Sequence, residues 1–259
     1  MTIDLSRPAG RLCAAAALLL SAACATAPRP ASISSSRLGI VKTTGTVGRG
    51  VVQLEAGYSR GYQDGRTRQT FGETLLRVGV APRTEARIGL SSYQWTETAA
   101  ATVEGRGDAS LVIKHQVRAA AGLVPGIAVT FGSALPTGTS RVGAGAFQPE
   151  AGLLAEWALP AGFRALGTAS HRSAVAADDR FGQTTLGAAA RRSLAKAVAA
   201  QLDYVLVTST RAGAADVHQL RATAALRLTP SLQLDAWAGR AAAAGVHEHL
   251  FGVGFARRW

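Results

Sequence analysis

Asp108-Ala109-Ser110-Leu111-Val112-Ile113-Lys114-His115-Gln116-Val117-Arg118 decides the fold. Side chains of an extended chain alternate between two faces. Leu111, Ile113 and Val117 therefore share one face, and Asp108, Ser110, Lys114, Gln116 and Arg118 share the other. His115 is the one doubtful residue on the apolar side. A face with this many charges cannot line a dry protein core. It can line a wet lumen while the apolar face meets lipid.

The same period runs outward in both directions. Towards the N-terminus it recurs in 51–59, 73–81 and 86–95, where Val52, Leu54, Val78, Val80, Ile88 and Leu90 oppose Gln53, Glu55, Arg77 and Arg87. Towards the C-terminus it recurs eight more times between 126 and 255. Val129, Leu153, Leu202, Leu226, Leu234 and Val253 mark the apolar face. The sum is about twelve strands, an even number, as single-chain bacterial barrels require. No Asp, Glu, Lys or Arg falls mid-strand on the apolar face, where such a charge costs ~2–4 kcal/mol in hydrocarbon. These features predict an all-β fold: a transmembrane, up-and-down antiparallel β-barrel over residues 49–259. The connections predict short turns near 81, 119, 160, 193 and 229. Longer polar loops are expected near 60–70, 97–106, 137–147, 172–181, 208–216 and 240–248. That alternation places both ends of the barrel on the periplasmic side.

Residues 1–27 read as a secretory signal peptide. Arg7 and Arg11 precede an apolar run from Leu12 to Ala23, which is too short to span a bilayer as a helix. Ala23-x-Ala25 fits ordinary cleavage. Ser21-Ala22-Ala23-Cys24 resembles a loose lipobox that would make Cys24 a lipidation site, and both readings stay open. Residues 28–48, which begin Pro/Ser-rich, read as a flexible periplasmic N-terminus. Cys13 and Cys24 are the only cysteines, so the body has no disulfide of its own. The formal net charge is +12. Such an excess suits nucleic acid, an acidic membrane surface or an anionic solute. Export argues against nucleic acid and leaves outer-membrane lipid and lipopolysaccharide as partners.

The chain ends Phe251-x-Val253-x-Phe255-x-Arg257-x-Trp259. A terminal aromatic preceded by apolar residues at every second step resembles the signal read by the outer-membrane assembly machinery, with Phe255 and Trp259 as its anchors. Arg257 departs from that pattern. Two further segments carry a family likeness. Gly107-Asp108-Ala109-Ser110-Leu111-Val112-Ile113-Lys114 resembles a "GD-x-x-L-x-x-K" strand, and Ser133-Ala134-Leu135-Pro136-Thr137-Gly138 resembles an "S-x-x-P-T-G" strand end. Together they resemble the outer-membrane family of the phenol-degradation meta-pathway type, whose members are labelled transporters. The resemblance implies a barrel more than it implies a substrate.

Enzymatic and metal chemistry is weakly signalled. His247-x-His249 has only Glu248 beside it and reads as a strand junction. His171-x-Ser173, with Asp178 and Asp179, would make an acyl-hydrolase site only if an oxyanion hole were present. No catalytic residue, metal site or cofactor is expected. Lumen-lining positions are Glu55, Arg77, Arg87, Asp108, Lys114, Arg118 and Glu150, and further along Glu156, Arg164, Arg191, Asp203, Arg221, Arg227 and Asp235. Their mixed signs predict passive passage of a small, unidentified solute with a weak preference for anions. The alternatives are a plugged barrel that is structural or displays its loops, and an outer-membrane lipid-modifying enzyme. Metabolic labelling with a fatty acid decides the leader question: label lost in Cys24→Ser assigns a lipoprotein, and no label in either form assigns ordinary cleavage.

Overall fold

The computed structural model describes residues 33–259. The leader reading of 1–27 and Cys24 lie outside the described residues. The wall begins with β1 (Val52–Gln63), β2 (Arg66–Ala81), β3 (Thr84–Gly89), β4 (Tyr93–Thr98), β5 (Thr102–Arg106), β6 (Ala109–Arg118) and β7 (Gly126–Leu135). It continues with β8 (Gln148–Ala158), β9 (Phe163–Ala176), β10 (Asp179–Ser193), β11 (Val198–Ser209), β12 (Val217–Thr229), β13 (Leu232–Ala243) and β14 (Val246–Arg258). β3 and β4 pair with the two halves of β2, so they form one stave. β5 pairs with β4 and β6 with β3, which makes β5 and β6 another. The fourteen segments are thus twelve staves. The break between β3 and β4 lies opposite Gly72 and Glu73 of β2, both at positive φ (92° and 32°). This is a bulge: residues are added to one stave without a partner, and the ladder resumes beyond it.

Every neighbouring pair is antiparallel. β1 closes the barrel on β14 from Gln53↔Arg258 to Tyr62↔His249. At the seam Val52 and Trp259 exchange backbone hydrogen bonds of 3.3 and 2.9 Å. With no free edge, the wall satisfies its own backbone, which is what hydrocarbon demands. The two faces follow the sequence period. Leu111, Ile113, Leu153, Leu202, Leu226, Leu234 and Val253 are exposed on the outside. Leu54, Val78 and Val129 share that face by register and are partly covered by neighbours. Gln53, Glu55, Arg77, Lys114, Glu156, Asp203 and Asp235 are buried on the inside.

Two expectations are corrected. Residues 60–70, 172–181 and 240–248 are not long loops. The ladders run out to Gln63↔Arg66, Ala176↔Asp179 and Ala243↔Val246, leaving two-residue turns. At 177–178 and 244–245 both turn residues have positive φ, the handedness that matches strand twist. Polar strands rising beyond the apolar belt carry no hydrophobic period and so read as loops. Conversely, the link 119–125 is longer than a tight turn, so turn length does not divide the two rims cleanly.

The second correction concerns the N-terminal stretch. Residues 33–48 of the segment read as flexible are packed against inward-facing side chains of the wall. Ile33, Ser35, Leu38, Val41, Thr44 and Val47 are buried. The Pro/Ser-rich start that suggested flexibility gives way to a segment with a buried side chain at nearly every third position. Replacing Leu111 by Arg should block assembly, because a mid-strand charge facing lipid costs ~2–4 kcal/mol. Loss of the compact, heat-modifiable band on electrophoresis reads this out, and the same change at Ser110 should leave that band in place.

Candidate functional site

The lumen is occupied by the chain's own residues 33–48, called here the plug. An irregular buried chain leaves its N–H and C=O groups without a ladder, and each must find a partner. Wall side chains supply them. Glu55 accepts from Ser36 N (3.0 Å), Arg37 N (3.1 Å) and Ser35 Oγ (3.0 Å). Asp203 accepts from Val41 N (3.0 Å), Glu156 from Thr44 N (2.8 Å), and Glu85 from Val47 N (2.8 Å). The wall cations serve the plug carbonyls. Lys114 Nζ donates to Thr43 O (2.6 Å) and Gly45 O (2.7 Å), Arg77 to Ser34 O (3.2 Å), and Arg221 to Arg37 O (2.9 Å). Gln201 closes the set on Val41 O at 2.9 Å.

The plug returns one strong anchor. Arg37 follows Ser35, whose Oγ accepts from Arg37 N at 2.8 Å and starts a 3-10 turn over Ser36–Leu38. Its guanidinium reaches Glu73 (2.8 Å), Asp235 (3.3 Å) and Val253 O (3.2 Å). Gly57 and Gly254, directly paired across the seam, make the seat. A Cβ on either would overlap the Arg37 guanidinium. Beside this anchor, Arg77 bridges Glu55 (3.2 Å) and Glu85 (2.8 Å), and Arg87 joins Glu85 (3.2 Å) and Ser36 Oγ (2.7 Å). A small apolar cluster of Val41 with Leu166 and Val205 completes the packing.

Nine of the fourteen expected lumen residues meet the plug. They are Glu55, Arg77, Arg87, Lys114 and Glu156, with Arg191 (on Ser34 Oγ, 3.2 Å), Asp203, Arg221 and Asp235. The others are placed elsewhere. Asp108 ties the 136–147 loop through Gly138 N (2.9 Å) and Ala144 N (2.8 Å). Arg118 binds Pro125 O (2.8 Å) and Arg227 binds Lys196 O, both at turns. Arg164 is half-exposed on Glu156. Glu150 lines a side cavity beside the plug. His115 faces outward with Nδ1 2.9 Å from Thr84 Oγ1. His171 and Ser173 are engaged separately, by Thr184 (3.0 Å) and Arg180 (2.9 Å). Among the described residues no three His, Cys, Asp or Glu gather as a metal site.

The sequence reading missed Arg37, Glu73, Glu85 and Arg258. Glu85 keeps step with Arg87 but was assigned to a turn. Glu73 keeps step with Arg77 but sits in the bulge, at the edge of the apolar period. Arg258 keeps step with the inward Gly252 and Gly254 and donates to Gln53 Oε1 at 2.9 Å. Arg37 lies in a stretch with no alternation.

Beside the plug the crevice near Lys42 and Arg191 encloses only about 10 Å³, room for about one water. A larger cavity of about 290 Å³ opens between plug residues Ile40 and Lys42 and the inner face of β3 and β6–β10.

An edgeless wall, apolar outside and charged inside, makes this protein a bacterial outer-membrane β-barrel. Residues 35–259 match the family described as "Putative MetA-pathway of phenol degradation", and the chain belongs to it. Similar solved structures show the same fold at low identity. An outer-membrane channel from Pseudomonas putida F1 is 14% identical with a TM-score of 0.61, over 88% of this chain and 100% of that one. The NanC porin is 7% identical with a TM-score of 0.57, over 80% and 98%. The KdgM porin is 11% identical with a TM-score of 0.52, over 77% and 97%. No curated protein sequence matches the chain.

Arg77→Met should cost about 3–5 kcal/mol, because it strands two buried carboxylates. Urea unfolding measures the loss, and adding Glu55→Gln and Glu85→Gln to the same chain should recover part of it.

Proposed function

We propose that this barrel passes a small solute through the outer membrane, and that the plug forms the internal constriction the solute must get past. One observation carries this reading. The wall closes by its own ladder, so what obstructs the lumen is a separable segment held by side-chain hydrogen bonds. Side chains alone fill an eight-stranded lumen; twelve staves enclose more, and here a segment of chain takes up the space. The channel and porins that share the fold agree with passage. Loop display is disfavoured by the two-residue turns at 64–65, 177–178 and 244–245. A lipid-modifying enzyme is disfavoured because His171 and Ser173 face separate partners.

The surrounding roles follow the same reading. The exposed Phe255 and Trp259 at the closing stave are the anchors offered to the assembly machinery. Outward basic residues such as Arg60, near the 64–65 turn, meet the phosphates of lipopolysaccharide through charge-assisted contacts.

Planar-bilayer recording tests the proposal. The intact protein should show small, intermittent conductance, and deletion of residues 33–48 should raise it severalfold with only weak ion preference. Arg37→Ala, which keeps the plug but removes its anchor, should raise the open fraction. If neither the intact protein nor a folded deletion variant conducts above bare bilayer, passage is wrong.

A further inference from the structure

Beside the plug, the cavity of about 290 Å³ is lined by cationic, apolar and neutral polar side chains. Lys42, Arg87 and Arg172 line it, against one carboxylate, Glu150. The carboxylate nearest Arg87 is Glu85, which is already shared with Arg77 and Val47 N. Lys42 Nζ uses two of its three N–H donors on Ser36 O (2.8 Å) and Gly39 O (2.5 Å). Arg172 reaches Gln183 with its Nη2, while its Nε is buried with no hydrogen-bond partner among the described residues. Buried donors of this kind cost free energy until something accepts from them. The apolar lining is Ile40 from the plug with Val112 and Leu154 from the wall, and hydroxyls of Thr130, Thr168, Ser170 and Thr185 with the Gln183 amide complete it.

On the inner face of β8, Gly152 lies between Thr130 and Ser170, two residues that line the cavity, and is paired to both. A Cβ there would fall 2.6 Å from Thr130 Oγ1 and 3.2 Å from Ser170 Cβ. The cavity has room for a small organic molecule, in contrast to the neighbouring crevice, which has room for about one water.

We infer that this cavity is a binding site for a small organic anion with an apolar flank. A carboxylate takes the spare donors of Lys42 and Arg172, and the hydrocarbon body lies on Ile40, Val112 and Leu154. A neutral apolar solute would leave the cations without an acceptor. A polyhydroxylated anion would set polar groups against those three apolar side chains. The inference deepens the passage reading and rests on it for its purpose, since the site would hold solute at the constriction.

Benzoate is a rigid probe of the right size, benzamide its neutral isostere, and gluconate an anion without an apolar flank. Titration calorimetry on the full chain in lipid nanodiscs should show saturable benzoate binding. Benzamide and gluconate should each bind roughly tenfold or more weakly, the scale of losing charge-assisted hydrogen bonds or the apolar contact. Lys42→Gln should weaken benzoate by a similar factor. Thr130→Phe should abolish binding by filling the cavity without altering a charge. Lys196→Gln, in the 194–197 turn, should leave binding unchanged. Equal binding of benzoate and benzamide, gluconate as tight as benzoate, or full benzoate affinity in Lys42→Gln would each overturn the site. Conductance recorded on the same preparations separates the two ideas. Benzoate binding without any conductance sinks passage and keeps the site, and conductance without benzoate binding does the reverse.

Discussion

Backbone polar groups taken out of water must be hydrogen-bonded, and that constraint organises the whole interior of this protein. The wall spends its own N–H and C=O groups on a closed ladder. The plug has no ladder to join. Its amides are therefore met by carboxylates (Glu55, Asp203, Glu156, Glu85) and its carbonyls by Lys114, Arg77, Arg221 and Gln201. The mixed charges inside the barrel are thus neither a bare pore lining nor a simple lattice of salt bridges. Most of them solvate a peptide backbone, and the ion pairs among them compensate the charge that this solvation buries.

The same barrel solves an opposite problem outside. Lipid offers no partner for a polar group, so the outer face keeps only apolar side chains at mid-strand and the ladder leaves no edge. One chain meets both demands because strand side chains alternate: Leu111 and Ile113 face lipid while Lys114 reaches inward to the plug. The bulge at Gly72 and Glu73 shows how local irregularity is put to use. There β2 changes step, from inward Arg77 and Glu73 to inward Gly72, and Glu73 meets Arg37 at 2.8 Å.

Wall and plug differ in how they are held, and that difference bears on function. The wall is a cooperative ladder closed on itself. The plug is held by individual side-chain contacts centred on Arg37, with one small apolar cluster at Val41. The plug lacks the cooperative ladder of the wall, although Ile33, Leu38, Val41 and Val47 are buried. The cavity beside Lys42 lies where a rearrangement of the plug would be felt first.

Much of the wall was legible in the amino-acid order. Period two fixes which residue faces lipid and which faces inward, and hydrocarbon tolerates no slip of register, so the twelve staves and the two faces follow from local pattern alone. The polar strand extensions beyond the apolar belt were not legible, because alternation among polar residues carries no signal. Nor was the purpose of the inward charges. Glu55 and Lys114 look the same in sequence whether they line water, pair with each other or bind a backbone. Residues 33–48 contain no alternation that would mark them as core. Their place in the lumen is decided only when the wall has closed and its glycines, Gly57 and Gly254, have left room for Arg37. Local sequence sets the alternation of a strand; the content of the space that twelve strands enclose depends on contacts between residues up to two hundred positions apart, and only the tertiary structure brings those together.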